Sequence, residues 1–458
     1  MAIFSPLTIG RSALLAHQRA LRTTGQNIAN VSTEGYSRQE VHLQPAPGSD
    51  GFGVHAGRVE RMVDRFIEQR LLEHAASGTG AEVASELHSR VESLVPFGEG
   101  GLASSIDGFF GATQRLASHP EDLAVRAEVL GRAADVAAGF RSIAGGLGAL
   151  QREVDDRLRA ATTEINERLR EIAHLSERVT AQNVAGADAA ELEDQLGRAV
   201  HLLAEDLDLR IDLREHGGMD LSLRASGAPL VVGGITHELG HSVGTSPAVG
   251  GGFLTEIGLV APDGQLIDPG AAWGGRLGAL VEMRDQQLPA RAGEVDALAV
   301  AFASAVNAIQ TDPAANDLDG ATGTALFSGA GAGDMQLVLS DPRGLAASRT
   351  GLAGDNGNAL ALAALQGEPQ ASIGGQTFAE AFGTLHATIG DAARRAGERT
   401  QVQERLGDAL LAQRDAISGV SLEEEMTNLL RYQRGFQAAA RLIDASNRLL
   451  DDLLGIVR

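Results

Sequence analysis

"LEEEMTNLLRYQRGFQAAARLIDASNRLLDDLLGIV", residues 422–457, carries two interleaved sevenfold rows. Leu422, Leu429, Phe436, Ile443, Leu450 and Val457 form one. Met426, Gln433, Ala440, Asn447 and Leu454 form the other. Steps of four and three alternate without a break, and no Pro interrupts them. A stripe this narrow on a helix calls for a second helix against it. An amphipathic core helix writes the same pattern, so the stripe alone leaves its partner open.

A candidate partner stands at the other end. Leu7, Leu14, Leu21 and Ile28 recur every seven residues, and Ala13, Ala16 and Ala20 keep the nearby surface small and helix-friendly. The second seam position holds Gly10, His17 and Thr24, so this is half of a coiled-coil seam. Complementary stripes at opposite ends favour pairing of the two termini.

Helical periodicity continues inward. Val59, Met62, Val63, Phe66 and Ile67 predict one helix. Residues 121–183 predict one or two long helices with an apolar stripe from Leu147 to Val179, and Gly145, Gly146 and Gly148 are candidate interruptions. From about residue 205 the period changes to two. "LDLRIDLREHGGMDLSLRASGAPLVVGG" alternates and breaks at glycines, and Asp263-Gly264 is a hairpin signal. Helical spacing returns near 276. Residues 311–358 are rich in Gly, Asp, Asn and Pro with one short strand candidate, "MQLVLS", and residues 376–417 are helical again. The expected fold is mainly α: a long-helix rod with paired, coiled-coil-like N- and C-terminal helices, plus an inserted small antiparallel β domain.

The formal net charge of −22 argues against nucleic acid or an anionic membrane as partner. The chain has no Cys, which excludes disulfides and thiol chemistry, and all 38 of its basic residues are Arg. No stretch reads as long and apolar enough to span a membrane, and the first residues lack the pattern of a cleaved signal.

"THELGHSVG", residues 236–244, matches two catalytic patterns at once. His237, Glu238 and His241 spell H-E-x-x-H, which binds zinc only on a helix, with both His on one face. Pro229, Gly233 and Gly234 oppose such a helix, and Pro247 stands where a longer metalloprotease pattern needs a third His. In a strand, Ile235, His237, Leu239 and His241 share one face and Glu238 takes the other. Gly240-His241-Ser242-Val243-Gly244 matches a serine-hydrolase elbow, but Gly-rich sequence follows where that elbow needs a helix. The expectation is no catalytic residue, no cofactor and no metal. "NDLDG", 316–320, lacks calcium ligands at the first and twelfth loop positions and reads as a turn.

"TTGQNIANVSTEGYSRQEV", residues 23–41, reads physically as a helix end and an ordered turn, with Asn30 able to cap and Gly35 free to take positive φ. It also resembles the N-terminal signature of bacterial flagellar axial proteins, the rod, hook and hook-associated proteins. Asn27, Ile28, Ala29, Asn30, Thr33, Gly35 and Tyr36 fall on that pattern. Glu34 stands where the rod and hook branch often has Pro, and Gly35-Tyr36-Ser37-Arg38-Gln39 is most similar to the hook-associated branch at the hook–filament junction. "GFGVHAGRVERMVDRFIEQRL" and "DNGNALALAAL" resemble further blocks of that branch. Residues 418–456 resemble the C-terminal signature of the axial proteins, with matches that include Glu424, Glu425, Asn428 and Tyr432.

The resemblance implies a non-enzymatic structural component that joins hook to filament as a ring of copies. It implies terminal inner-core segments at 1–50 and 416–458, a helical rod from 51–204 and 276–415, and an inserted β domain at 205–275. Leu7, Leu14, Leu21 and Ile28 would then assemble with Leu422, Met426, Leu429, Phe436, Ile443, Leu450 and Leu454, within or between subunits. Asn27, Asn30, Gly35 and Tyr36 would shape the turn out of the inner helix. The implied partners are further copies, the hook protein, the next hook-associated protein and an export chaperone at the C-terminus. The implied location is outside the cell, after export through the flagellar type III apparatus without a cleaved signal. Another axial protein of hook or distal rod is the nearest alternative, and a zinc peptidase displayed through the β insert is a more distant one.

Overall fold

The computed structural model describes residues 5–33, 35–45, 53–98, 100–269 and 273–456, with the backbone alone for 5 and 453–456. The positions of Glu34 and Val457 lie outside the described residues, as does the side chain of Leu454.

Helix α1 (Ser5–Ala29) leads into a hairpin of β1 (Gln39–Pro45) and β2 (Val54–Arg61). The expected helix around residues 59–67 is therefore corrected. Val59 pairs with Val41 across the hairpin, and its burial alternates with exposed neighbours. Helix α2 (Arg65–Leu94) begins only after Asp64, whose carboxylate accepts from the amides of Phe66 and Ile67 at 2.8 and 3.3 Å. That cap satisfies amides a helix start leaves orphaned. Helix α3 (Leu102–Ser118) follows.

Helix α4 (Leu123–Val184) is one unbroken element of 62 residues, capped by Asp122. Gly145, Gly146 and Gly148 do not interrupt it. A Cβ at Gly146 would lie 2.8 Å from Leu94 Cδ2, and one at Gly148 would lie 2.6 Å from Val249 O. Two of these glycines thus admit neighbours to the helix surface. Each costs about 1 kcal/mol of helix propensity relative to Ala, which a buried stripe including Val154, Leu158, Ile165, Leu169, Ile172 and Val179 offsets.

Helix α5 (Ala190–Asp206) returns along α4. Strands β3 (Leu209–Leu213), β4 (Met219–Leu223), β5 (Pro229–Val232) and β6 (Ile235–Thr236) form one antiparallel sheet. Strands β7 (Leu239–Pro247), β8 (Phe253–Val260) and β9 (Leu266–Ile267) form a second. Their inner residues, among them Leu221, Leu230, Val231, Leu239 and Ile257, belong to the same hydrophobic cluster as the helices. Polar pins along α4 hold both sheets. Gln151 Oε1 accepts from Val249 N at 2.7 Å, Asn166 exchanges two 2.8 Å bonds with Leu239, and Ser176 Oγ accepts from Met219 N at 2.9 Å. Buried Asp155 accepts from Thr255 N and Oγ1 and from Arg284 Nη1. Fully satisfied polar groups of this kind specify one arrangement of a core.

Helices α6 (Gly275–Glu282) and α7 (Leu288–Gln310) are joined through a π turn at Met283–Gln287. This 36-residue run is long and apolar enough by length and composition to cross a membrane, which corrects the sequence expectation. Here it is a core element: Leu277, Leu280, Val295, Leu298 and Phe302 are buried. Phe302 gathers Phe109, Phe327 and Phe378 at ring separations of 5.5, 5.7 and 5.2 Å. After the small pair β10 (Phe327–Ser328) and β11 (Gln336–Leu337) come α8 (Gly357–Ala364) and α9 (Phe378–Ser418), the latter opened by a Thr377–Glu380 capping box. Helix α9 runs antiparallel to α2, with Thr400 bonded to Ala81 O and His74 Nε2 2.7 Å from Gln403 O. Helix α10 (Leu422–Ile456) closes the chain. The fold is mainly α with small antiparallel sheets, as the period analysis requires.

Candidate functional site

Helices α1 and α10 lie antiparallel. Gly10 faces Ile443, where a Cβ would come within 2.7 Å of Cγ1. The His17 ring covers Gly435, where a Cβ would lie 2.5 Å away, and it tilts against Tyr432 at 6.3 Å between centroids. Asn27 reaches Glu425. Glycines opposite bulky groups allow this close approach.

The seam uses a third sevenfold row. On α10 the buried residues are Glu425, Tyr432, Ala439 and Ser446; on α1 they include Ala16, Ala20, Thr24 and Asn27. The large apolar residues flank it. Leu7, Leu14, Leu21, Ile28, Leu429, Phe436, Ile443 and Leu450 are half-buried, and Leu422 and Met426 are 48% and 49% exposed. Counting apolar residues could not find the seam, because two of its four α10 members are polar and one is Ala.

The end of α1 opens into a hydrogen-bonded corner. Asn30 Nδ2 donates to Gln26 O at 2.9 Å and its Oδ1 accepts from Thr33 Oγ1 at 3.1 Å, which finishes the helix. Gly35 has φ +71°, and a Cβ there would lie 2.7 Å from Arg198 Cγ. That turn swings Tyr36 back so that its hydroxyl donates to Asn27 Oδ1 at 2.8 Å. Asn27 Oδ1 also accepts from Gln39 N at 3.0 Å, while Nδ2 donates to Gln39 O at 2.9 Å and Glu425 Oε2 at 3.1 Å. Arg38 Nε donates to Glu425 Oε1 at 2.9 Å, and its Nη1 to Glu424 Oε2 at 2.7 Å. Burial, followed by the carboxylates of Asp194, Glu425 and Glu191, pushes the Tyr36 phenol well above its usual range, so it remains a neutral donor.

All four turn residues singled out from sequence thus meet at one corner. Arg38, Gln39 and Glu425 are essential to it and had no role assigned, although each lies in a stretch that resembles the axial signatures. The corner brings together polar groups from both ends and offers no nucleophile–base pair. It can hold two segments together.

The 236–244 stretch forms the end of β6, a two-residue link and the start of β7. His237 N donates to Leu230 O at 2.8 Å, and the Glu238 carboxylate pairs with Arg170 Nε at 2.7 Å. The expected shared face is corrected: Ile235 is 68% exposed and Leu239 3%. The link between the strands resets the alternation. His237 and His241 sit on no helix, and among the described residues no group of three or more His, Cys, Asp or Glu is placed to hold a metal. In 316–320, Asp317 Oδ1 accepts from Asp319 N and Ala321 N, which makes the stretch a turn.

Comparison with known proteins finds three family models along the chain. The model of the flagellar hook-associated protein FlgK helical domain matches residues 88–327. The model of the flagella basal body rod protein matches 7–36, and that of the flagellar basal body rod FlgEFG protein C-terminal matches 413–456. The chain is 27% identical over 501 residues to flagellar hook-associated protein 1 of Bacillus subtilis, covering 98% of each. It is 25% identical over 551 residues to the protein of that name from Salmonella typhimurium, covering 97% of this chain and 98% of the relative. Among solved structures, the flagellar hook junction protein FlgK from Burkholderia pseudomallei matches with a TM-score of 0.67 at 16% identity, over 76% of this chain and all of that one. That last likeness establishes the fold.

Proposed function

Because the chain belongs to the family of the flagellar hook-associated protein FlgK helical domain, we propose that it joins hook to filament in a bacterial flagellum. It is a structural component whose work is geometric. The observation that carries the reading is the corner: Asn27, inside the N-terminal match, and Glu425, inside the C-terminal match, bond in one buried network. A chain whose two ends close on each other places both at one point of an axial assembly and sends the helical body away from it.

In this reading the half-buried and exposed apolar residues beside the seam pack on neighbouring copies. They are Leu7, Leu14, Leu21 and Ile28 on α1, and Leu422, Met426, Leu429, Phe436, Ile443 and Leu450 on α10, with Leu454 continuing the row. The buried row of the intrachain seam is mostly small or polar apart from Tyr432, so most of the large apolar residues beside it keep surface for that purpose. The hook protein and the next hook-associated protein are the axial neighbours. The chain reaches its place through the flagellar type III apparatus, with a chaperone engaging the C-terminal helix beforehand. It performs no catalysis; the engagement of Glu238 by Arg170 supports that.

The rod-protein models at both ends favour one second reading, an axial protein of hook or distal rod. Electron microscopy of a deletion strain, with a blot of the medium for flagellin, separates the two. Complete hooks without filaments and shed flagellin are expected. Missing or stunted hooks would move the protein inward, and normal filaments would end the axial reading.

A further inference from the structure

Helices α6 and α7 form one run interrupted only by the π turn at Met283–Gln287. Pro289 stands just behind that turn, and a proline inside a helix clashes with the carbonyl four residues before it. The wider turn takes up one extra residue. Leu280 and Leu288, eight positions apart, are both buried. On a straight α-helix they would stand about 80° apart around the axis; the extra residue returns them to one face. The consequence falls on Arg284 O. Leu288 N, the amide that an α-helix aims at this carbonyl, is spent on Met283 O. The next residue is Pro289, which has no N–H. Arg284 O thus lacks both helical donors, and a side chain of α4 supplies one: Gln151 Nε2 donates to it at 2.8 Å.

Gln151 and Asp155 lie one turn apart on α4, and each reaches two ways. While its amide holds Arg284 O, Gln151 Oε1 accepts from Val249 N at 2.7 Å. Asp155 accepts from Thr255 N at 3.0 Å, from Thr255 Oγ1 at 2.6 Å and from Arg284 Nη1 at 2.7 Å. The same Nη1 donates to Thr255 O at 2.7 Å, and Asp285 holds the other edge of the guanidinium. Gln151, Asp155, Thr255 and Arg284 are all buried. Both α4 side chains therefore tie the π turn to the β7–β8 hairpin.

The two ends of that hairpin are held differently. Its root is apolar, with Leu239, Ile257 and Leu259 in the main core. At its tip Val243 is 83% exposed and Phe253 66%, and Gly250, Gly251 and Gly252 all take positive φ. From Leu239 to Thr255 the chain has no Asp, Glu, Lys or Arg, so the tip has no ion pair of its own. A segment with few buried apolar contacts belongs to the easily opened part of a fold unless other bonds hold it.

We propose that the π turn, set by Pro289, is an acceptor reserved for Gln151, and that Gln151 and Asp155 form a strap locking the hairpin tip to the α6–α7 helix. With the strap undone, residues 243–254 open alone and the helical body stays closed. The strap draws on no residue of α1 or α10 and does not depend on the junction reading.

Hydrogen exchange of the full chain, read by mass spectrometry, tests this. Gln151→Met keeps the length of the side chain and removes both polar ends. Exchange in peptides spanning 243–254 is expected to quicken about tenfold, with peptides from 158–179 of α4 and 295–306 of α7 unchanged. The melting midpoint should also fall, because Arg284 O loses its donor. On a Pro289→Ala background the same change is expected to lower the midpoint clearly less, since the amide of Ala at 289 can serve Arg284 O, while the tip still exchanges fast. Thr255→Val removes one bond at the second anchor without touching a helix, and is expected to quicken the same peptides. A tip that keeps the parent rate in either Gln151→Met or Thr255→Val overturns the strap. So does a tip already unprotected in the parent, or an acceleration spread evenly over the body. An equal loss of midpoint with and without Pro289 overturns the reserved acceptor.

Discussion

The carboxamide of Asn27 donates to the carboxylate of Glu425 at 3.1 Å, in a buried bond between residues 398 apart in the chain. The same carboxylate receives Arg38. Two segments that sequence places at opposite ends therefore share one polar core, and each leaves the other incompletely partnered if it departs.

Glu425→Ala is expected to destabilise the terminal unit by about 1–3 kcal/mol, since it strips partners from a buried amide and a largely buried guanidinium. Arg38→Ala is expected to act through the same carboxylate, so the double variant should cost clearly less than the sum of the two. A double-mutant cycle read by urea unfolding checks this, and additive costs would remove the coupling claimed for the corner.

Gly35→Ala meets two obstacles, a positive φ and the Arg198 side chain. A loss of about 1–2 kcal/mol is expected from the backbone alone. Adding Arg198→Ala should recover only the steric part. Full recovery in a thermal melt would mean that the left-handed turn is not required.

Removal of residues 422–458 is expected to abolish incorporation into the flagellum while leaving a soluble, helical chain. The body core from α2 to α9 contains no residue of α1 or α10. Immunogold labelling of sheared flagella and circular dichroism of the purified chain read the two halves of this statement; ring incorporation by the shortened chain would end the proposed role of the terminal helices.

The His17 imidazole is held below its ordinary value of 6.5 by burial in the α1–α10 seam. The neutral ring is the form that fits, so folding of the pair excludes a proton. Stability is full above about pH 6.5 and declines as pH falls through the lowered folded value. His88, in the body, is lowered too, chiefly by burial. The difference between parent and His17→Phe therefore isolates the seam. The variant should flatten the acid side of stability against pH, read by urea unfolding at each pH; an unchanged profile would assign the effect elsewhere.

Glu238→Ala is expected to leave swimming motility unchanged, at the expense of one solvent-exposed ion pair with Arg170, which contributes little to stability. Motility lost in soft agar, with normal protein level, would return the 236–244 stretch to consideration as a working site.

Much of this architecture is legible in residue spacing. The apolar stripe of α4, the change to period two near 205 and the long C-terminal helix all write themselves in one-dimensional patterns. The seam does not. Gly10, His17, Gly435 and Glu425 meet because helix axes approach closely, and no count of apolar residues predicts which polar side chain will be buried between them. The α4 glycines mislead for the same reason: in isolation they weaken a helix, and here the weakness is offset by Leu94 and Val249 lying against them. Val59 and Ile67 fit one helical window, yet Asp64 caps a helix between them. The corner was half visible, since Asn27, Asn30, Gly35 and Tyr36 are neighbours in sequence, but their partner is not.

The unbroken length of α4 has a mechanical consequence. At 1.5 Å per residue its 62 residues span roughly 93 Å, and one end lies by the hairpin, where Arg58 meets Asn183. Such a strut is a lever arm. A tilt of about 10° at the hairpin end sweeps the far tip through roughly 16 Å, from that same helical rise. Small changes in how Arg58 sits on Asn183 are therefore magnified where Arg126 grips the loop at Leu345.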